Sequence, residues 1–148
     1  GGDGPEEAFT IPVGEAKIVK EGNDVTIVTV GRMVHQAIEA AATLAKEGVS
    51  CEVVDLRTTS PLDEETIIES VENTGRLVVV DESTPRCSIA TDISAIVAQK
   101  AFGSLEAPIE MVTAPHTPVP FNGALEDQYV PSPGRIADAA RIVMGYKV

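Results

Sequence analysis

Short runs of apolar and β-branched residues alternate along this chain with segments whose apolar residues repeat every three or four positions. The run at 25–30 is β-branched throughout, which is typical of a strand buried on both faces of a sheet. The Gly22-Asn23-Asp24 turn that precedes it suggests a hairpin with the segment before it. The predicted strands are 17–20, 25–30, 52–56, 77–80 and 109–112.

Between the predicted strands the apolar period becomes that of an amphipathic helix. The first helix has one apolar stripe, which is predicted to be its buried face: Val34, Ile38, Ala41 and Leu44. Asp63 is the predicted N-cap of the second helix, because acidic residues follow it and suit the positive end of the helix dipole. The predicted helices are 33–47, 64–74, 88–102 and 133–144.

This alternation of strands and helices predicts an α/β domain with a mostly parallel sheet covered on both faces, in three α/β/α layers. A length of 148 residues suits one domain, and 43% hydrophobic residues suffice for its core. Residues 1–10 show no apolar periodicity and are interpreted as a linker or expression remnant. The domain itself is predicted to span 11–148.

The charge balance narrows the possible partners. There are 23 acidic and 11 basic residues, a net charge of -12, which disfavours binding to nucleic acid and to anionic membrane surfaces and favours a basic protein partner. No apolar run is long enough to span a bilayer, and no signal peptide is evident. Cys51 and Cys87 lack metal-site or disulfide-framework spacing, so we expect a reduced, cytoplasmic setting.

A dinucleotide site is a natural hypothesis for such a fold. Gly31 follows the first buried strand, and Asp55 lies near the expected position of a ribose-binding acid. The fingerprint, however, needs three spaced glycines so that the backbone can approach a pyrophosphate. Bulky residues follow Gly31 instead, so nucleotide binding is disfavoured.

Acidic residues follow two of the other predicted strands or lie within them. Asp55, Asp81 and Glu82 are candidates to meet at the carboxyl edge of the sheet and hold a hard cation such as magnesium. The favoured interpretation is structural: these acids cap loops or pair with Arg57 and Arg86.

Both histidines and one cysteine are candidates for chemistry or contact. His35 lies off the apolar stripe of the first helix and is predicted at the surface or an interface. His116 lies in a proline-bounded loop, where proton transfer is conceivable but a subunit contact is favoured. Cys87 follows Pro85-Arg86, a setting that can lower a thiol pKa, yet a structural thiol is favoured because no base is placed beside it.

Several longer strings resemble one family. The segments VTIVTVG at 25–31, EVVDLRT at 52–58 with SPLD at 60–63, and LED at 125–127 with VP at 130–131 resemble the transketolase C-terminal domain of E1 β subunits. These belong to thiamine-diphosphate-dependent dehydrogenases, and the resemblance covers about residues 9–146.

The subfamily is indicated by two further strings. PRCSIATD at 85–92 and TAPHTPVPF at 113–121 are most similar to acetoin dehydrogenase β subunits. The β subunit of a pyruvate or branched-chain 2-oxo acid dehydrogenase is the alternative. An alternative of another class is a free-standing metal-binding or small-ligand-binding α/β domain.

The resemblance implies a five-stranded sheet whose first strand is an antiparallel edge strand rather than half of a hairpin. It also implies an α2β2 heterotetramer that holds thiamine diphosphate and magnesium between the E1 α subunit and another domain of the β subunit. This domain would then bind neither group, would contain no catalytic residue and would be inactive alone. Its implied partners are the E1 α subunit, the second β subunit and the E2 acyltransferase binding domain.

The resemblance also implies two docking residues, and two further residues are candidates for subunit contacts. Glu106 and the chain-terminal carboxylate of Val148 match positions that hold the basic E2 binding domain in some E1 β subunits, because charge-assisted bonds to Arg or Lys suit both groups. His116 and Arg57 are the possible subunit contacts.

Overall fold

The computed structural model describes residues 15–57, 62–82, 89–113 and 131–145. Within these ranges five strands alternate with four helices, and two short 3-10 turns flank them at Gly31–Met33 and Phe102–Ser104. The strands are β1 Lys17–Lys20, β2 Val25–Val30, β3 Cys51–Leu56, β4 Leu77–Val80 and β5 Glu110–Val112. The helices are α1 Val34–Ala45, α2 Glu64–Thr74, α3 Ile89–Lys100 and α4 Pro133–Gly145.

The strands form one mixed sheet in the order β1-β3-β2-β4-β5. Strands β2 to β5 are mutually parallel, whereas β1 runs antiparallel to β3, with Lys17 opposite Asp55. The expectation of an antiparallel edge strand is therefore confirmed. The hairpin suggested by the Gly22-Asn23 turn is wrong, because β2 is flanked on its two sides by β3 and β4 and has no free edge for β1.

Alternate residues of the central strands enter two separate cores, one on each face of the sheet. Val25 and Ile27 of β2 face the core that α1 and α4 cover, and Val28 faces the core under α2 and α3. All three side chains are fully buried. The period-two alternation of a strand explains this division, and it confirms the three-layer architecture.

Helix α1 is rotated relative to the predicted apolar stripe. Val34 is only partly buried and Ile38 is 38% exposed, so the first half of the stripe is wrong. Met33 of the preceding 3-10 turn is buried, and the buried face of α1 itself consists of small residues and one leucine: Ala37, Ala40, Ala41 and Leu44. Alanine faces let the helix lie close to the sheet and to α4, and this packing outweighs the attraction of burying the larger side chains.

Asp63 joins the start of α2 to the edge of the sheet. Its carboxylate accepts hydrogen bonds from Thr66 N at 3.1 Å, Thr66 Oγ1 at 2.6 Å and Ala16 N at 2.8 Å. The predicted N-cap is thus present, and it also holds the residue before β1. Partial burial raises the pKa of Asp63, but the hydrogen bonds from Thr66 and Ala16 together outweigh it and leave the pKa below its ordinary value.

Replacing Asp63 with alanine is expected to lower the free energy of unfolding by about 1–2 kcal/mol at neutral pH. The folded-state pKa of Asp63 is depressed, so its charge-dependent contribution is full above the unfolded-state pKa and is lost as pH falls through the folded-state value. The difference in the free energy of unfolding between the unmodified protein and Asp63→Ala should therefore become smaller below about pH 4. Urea unfolding of both proteins across a pH series measures this difference. Glu69→Ala, an exposed change in the middle of the same helix, is the control. A difference in the free energy of unfolding that does not depend on pH would contradict the linkage.

Candidate functional site

The topological switch point of the sheet lies between the carboxyl ends of β2 and β4. From β2 the chain crosses to β3 on one side, and from β4 it crosses to β5 on the other side. Open α/β sheets bind ligands in the crevice at such a point. Here Arg32 Nη2 lies 3.3 Å from Glu82 Oε2, so an ion pair spans the two strand ends. The Arg32 side chain is 86% exposed, which makes this a surface pair of small energetic value.

Two of the three acids predicted near this edge, Asp81 and Glu82, have structural contacts. Asp81 is buried, and its Oδ2 accepts a hydrogen bond from Ile89 N at 3.1 Å, so it holds the first turn of α3. Glu82 pairs with Arg32 rather than with Arg57, which corrects the predicted partner, and Arg86 lies outside the described residues. Within the ranges that the structure describes, no three His, Cys, Asp or Glu side chains are grouped so as to hold a metal ion.

The described histidine and cysteine differ in exposure. His35 is exposed on α1, as predicted. Cys51 is a fully buried free thiol, and burial, reinforced by the charge of Asp24 and opposed by that of Lys20, raises its pKa to about 11. A protonated thiol without solvent access is a poor nucleophile. The predictions for His116, Cys87 and Val148 concern positions outside the described residues.

Arg57 is exposed just after β3. It borders a shallow depression of about 390 Å³ beside the edge strand β1, together with Lys17, Ile18 and Glu69. This surface is accessible to another chain. The subunit contact proposed for Arg57 remains a prediction.

Glu106 lies at the opposite, amino-terminal edge of the sheet, next to the end of α2. Glu106 N donates to Gly75 O at 2.7 Å, which fixes its backbone, and its Oε2 lies 3.3 Å from Arg76 Nη1. The Arg76 side chain is mostly buried at 23% exposure, whereas that of Glu106 is 61% exposed. The carboxylate is therefore positioned by the fold and still open to solvent. Sequence reasoning missed Arg76, because 30 residues separate it from Glu106.

An apolar cavity of about 580 Å³ adjoins Glu106, and we call it the Phe102 pocket. Its lining is apolar except for one carboxylate: Ala98, Phe102, Gly103, Leu105, Glu106, Ala107, Pro108 and Ile109. The Phe102 side chain is 75% exposed in a chain with only 3% aromatic residues. Sequence reasoning missed this pocket. The available signal was an aromatic residue just after α3, beyond the last buried position of that helix.

This fold and these sites define the class of protein. Residues 14–136 match the transketolase C-terminal domain family, and the chain belongs to that family. A split-gene transketolase, described as an inactive β4 tetramer, superposes with a TM-score of 0.81 at 27% sequence identity. The match covers 95% of this chain and 44% of that one.

Curated relatives specify the resemblance further. The chain is 68% identical over 143 residues to the β subunit of acetoin:2,6-dichlorophenolindophenol oxidoreductase from Cupriavidus necator, and 54% identical to that subunit from Bacillus subtilis. It is 46% identical to the pyruvate dehydrogenase E1 component β subunit of B. subtilis. These matches cover 97%, 97% and 96% of the chain. The predicted order of resemblance, acetoin-type before pyruvate-type, is confirmed.

The chain spans less than half of these relatives, 42% of each acetoin-type subunit and 43% of the pyruvate-type subunit. Among the helices that the structure describes, none has the length and apolar character needed to cross a membrane.

Proposed function

We propose that this chain is the C-terminal domain of the β subunit of a thiamine-diphosphate-dependent acetoin dehydrogenase E1 component. The observation that carries the proposal is the 68% identity to the acetoin-type β subunit of C. necator across 97% of the chain. The 46% identity to a pyruvate-type subunit supports the alternative substrate class less strongly. In either case the domain serves assembly and docking in a cytoplasmic complex.

The cofactor belongs, in this proposal, to other parts of the complex. Thiamine diphosphate needs a divalent cation to hold its phosphates, and the described residues do not group three metal-ligating side chains anywhere. Asp81 and Glu82 are engaged in a helix start and an ion pair. In this proposal the domain supplies no ligand to thiamine diphosphate or magnesium, and we expect the isolated domain to be inactive. The same contacts weigh against a free-standing metal-binding domain.

The substrate is tested with the complete β subunit assembled with its α subunit, thiamine diphosphate and magnesium. We expect 2,6-dichlorophenolindophenol to be reduced faster with acetoin than with pyruvate or a branched-chain 2-oxo acid, by about tenfold or more in kcat/KM. Such a ratio corresponds to about 1.4 kcal/mol of differential transition-state binding. Faster turnover of pyruvate would replace the acetoin assignment with the pyruvate alternative and leave the proposed domain role intact.

We further propose that Glu106, with the chain-terminal carboxylate of Val148, docks the basic binding domain of the E2 acyltransferase. The net charge of -12 attracts a basic partner at long range. Glu106 adds a positioned acceptor, because Arg76 and the Gly75 carbonyl hold it while most of its side chain stays in water. A carboxylate has two oxygens and about four lone-pair directions, so the Arg76 contact leaves capacity for a partner's cation. His116 and Arg57 are proposed for contacts between subunits.

Replacing Glu106 with glutamine in the assembled E1 component is expected to weaken binding of the E2 binding domain about tenfold and to reduce its salt dependence. The change removes the charge and keeps the shape of the side chain. Glu39→Gln, an exposed change on α1 with the same loss of charge, is the matched control. Titration calorimetry at two salt concentrations measures both variants. Equal affinities for the two would remove Glu106 from the docking site.

A further inference from the structure

The floor and the rim of the Phe102 pocket differ in burial. Leu105 and Ile109 are half-buried and pack against the core under α2 and α3, so the floor is continuous with the folded interior. Phe102 stands at the rim, in the short 3-10 turn after α3, and is 75% exposed. An apolar floor that packs on the core and continues into an exposed aromatic ring forms a contiguous exposed apolar patch, and such patches mark contact sites.

Two small residues keep the pocket open, and the fold requires neither of them to be small. Ala98 is exposed on α3 and lines the pocket, so a larger side chain there would project into the opening rather than into the core. A Cβ atom added at Gly103 would have nothing within 4 Å, and the backbone there is not left-handed. Larger side chains at these two positions could therefore fill the Phe102 pocket without disturbing the core.

The residues that line the Phe102 pocket indicate which kind of ligand fits it. The pocket holds about 580 Å³, its walls are mostly apolar, and Glu106 is the charged side chain at its border. A ligand that fits must combine an apolar body with a neighbouring cation. A second copy of this chain is a poor candidate, because it brings another surface of net charge -12. A basic protein partner satisfies both the apolar and the charged requirement.

We propose that the Phe102 pocket receives a bulky apolar side chain of the basic partner domain, while an adjacent Lys or Arg of that partner pairs with Glu106. This inference rests on the proposed docking function and adds its apolar anchor. Interfaces draw most of their affinity from a few large side chains seated in desolvated pockets, and rim charges contribute more to the association rate. Glu106 and the pocket thus act as one composite site with separate roles.

The test uses the complete β subunit assembled with its α subunit, and the E2 binding domain as the probe. Ala98→Leu fills the pocket, and Ala95→Leu, the same change at an exposed position nearly one turn earlier on α3, is its matched control. We expect Ala98→Leu to weaken binding about tenfold or more by titration calorimetry, to a similar extent at low and high salt. Ala95→Leu should bind as the unmodified protein does. Gly103→Val is a second filling variant in case Ala98→Leu does not assemble.

The outcomes separate this inference from the docking proposal. If both filling variants bind normally while Glu106→Gln binds weakly, the pocket is not an anchor and docking at Glu106 stands. If both variants and Glu106→Gln all bind normally, both proposals are wrong. If filling the pocket dissociates the E1 subunits, as measured by light scattering, the pocket is a subunit contact and the inference is overturned.

Discussion

Replacing Gly22 with alanine is expected to lower the free energy of unfolding by about 3 kcal/mol. A Cβ atom at this position would overlap the carbonyl carbon and oxygen of Cys51 and would lie 2.6 Å from Glu52 N. All three are backbone atoms at the start of β3, which is paired with β1 on one side and β2 on the other. The obstacle cannot rotate away as a side chain would, so the sheet itself must shift.

Urea unfolding followed by circular dichroism measures this effect, and two other glycines serve as controls. Gly103→Ala adds a Cβ in open space and should change the free energy of unfolding by less than about 0.5 kcal/mol. Gly48→Ala should cost about 1 kcal/mol, because its φ of +83° is unfavourable for a side chain although nothing lies near it. If Gly22→Ala resembled Gly103→Ala, the close approach of these two segments would be contradicted.

The second large effect is expected at Thr26, whose replacement by valine should destabilise the chain by about 2 kcal/mol. Thr26 Oγ1 lies 2.7 Å from both Ser70 Oγ and Thr74 Oγ1, and all three hydroxyls are buried between β2 and α2. Ser70 Oγ in turn donates to Glu52 Oε2 at 3.0 Å. Valine keeps the shape of threonine but removes this hydroxyl. Because Ser70 Oγ and Thr74 Oγ1 donate their protons elsewhere, the single proton of Thr26 serves one of them at a time, and that buried hydroxyl loses its donor.

A double-mutant cycle with Ser70→Ala distinguishes this network from simple packing. The two single changes share a contact, so the double variant should be about 1 kcal/mol more stable than the sum of the single losses predicts. Thr29→Val is the matched control, since Thr29 is equally buried in β2 and, among the described residues, its hydroxyl makes one long hydrogen bond, 3.4 Å to Val54 O. A Thr29→Val loss as large as that of Thr26→Val would argue against the network.

This network extends to the proposed docking site. Thr74 Oγ1 donates to Arg76 O at 3.0 Å, and Arg76 in turn contacts Glu106. Gly75, between them, ends α2 with a φ of +74° and accepts the backbone hydrogen bond of Glu106. The acid proposed to meet the partner is thus attached to the interior of the sheet, which lowers the entropy lost when it binds.

The sequence alone was sufficient for features that depend on neighbouring residues. Strand β2 was predictable because six consecutive residues suit a strand buried on both faces, and its observed bounds match the prediction. The start of α2 was predictable because an N-cap uses its own side chain and the amide three residues later. The family was predictable from several motifs in order, and with it the antiparallel edge strand.

Other features depended on contacts between distant parts of the chain, and only the tertiary structure decided them. Helix α1 offered two usable faces, and packing against α4 and the sheet selected the alanine face over the one with Ile38. The contact between Arg76 and Glu106 and the apolar pocket beside them arise where α2, α3 and the entry to β5 converge. Local sequence patterns do not predict which of these segments become neighbours, because the order in which the strands pair across the sheet determines it.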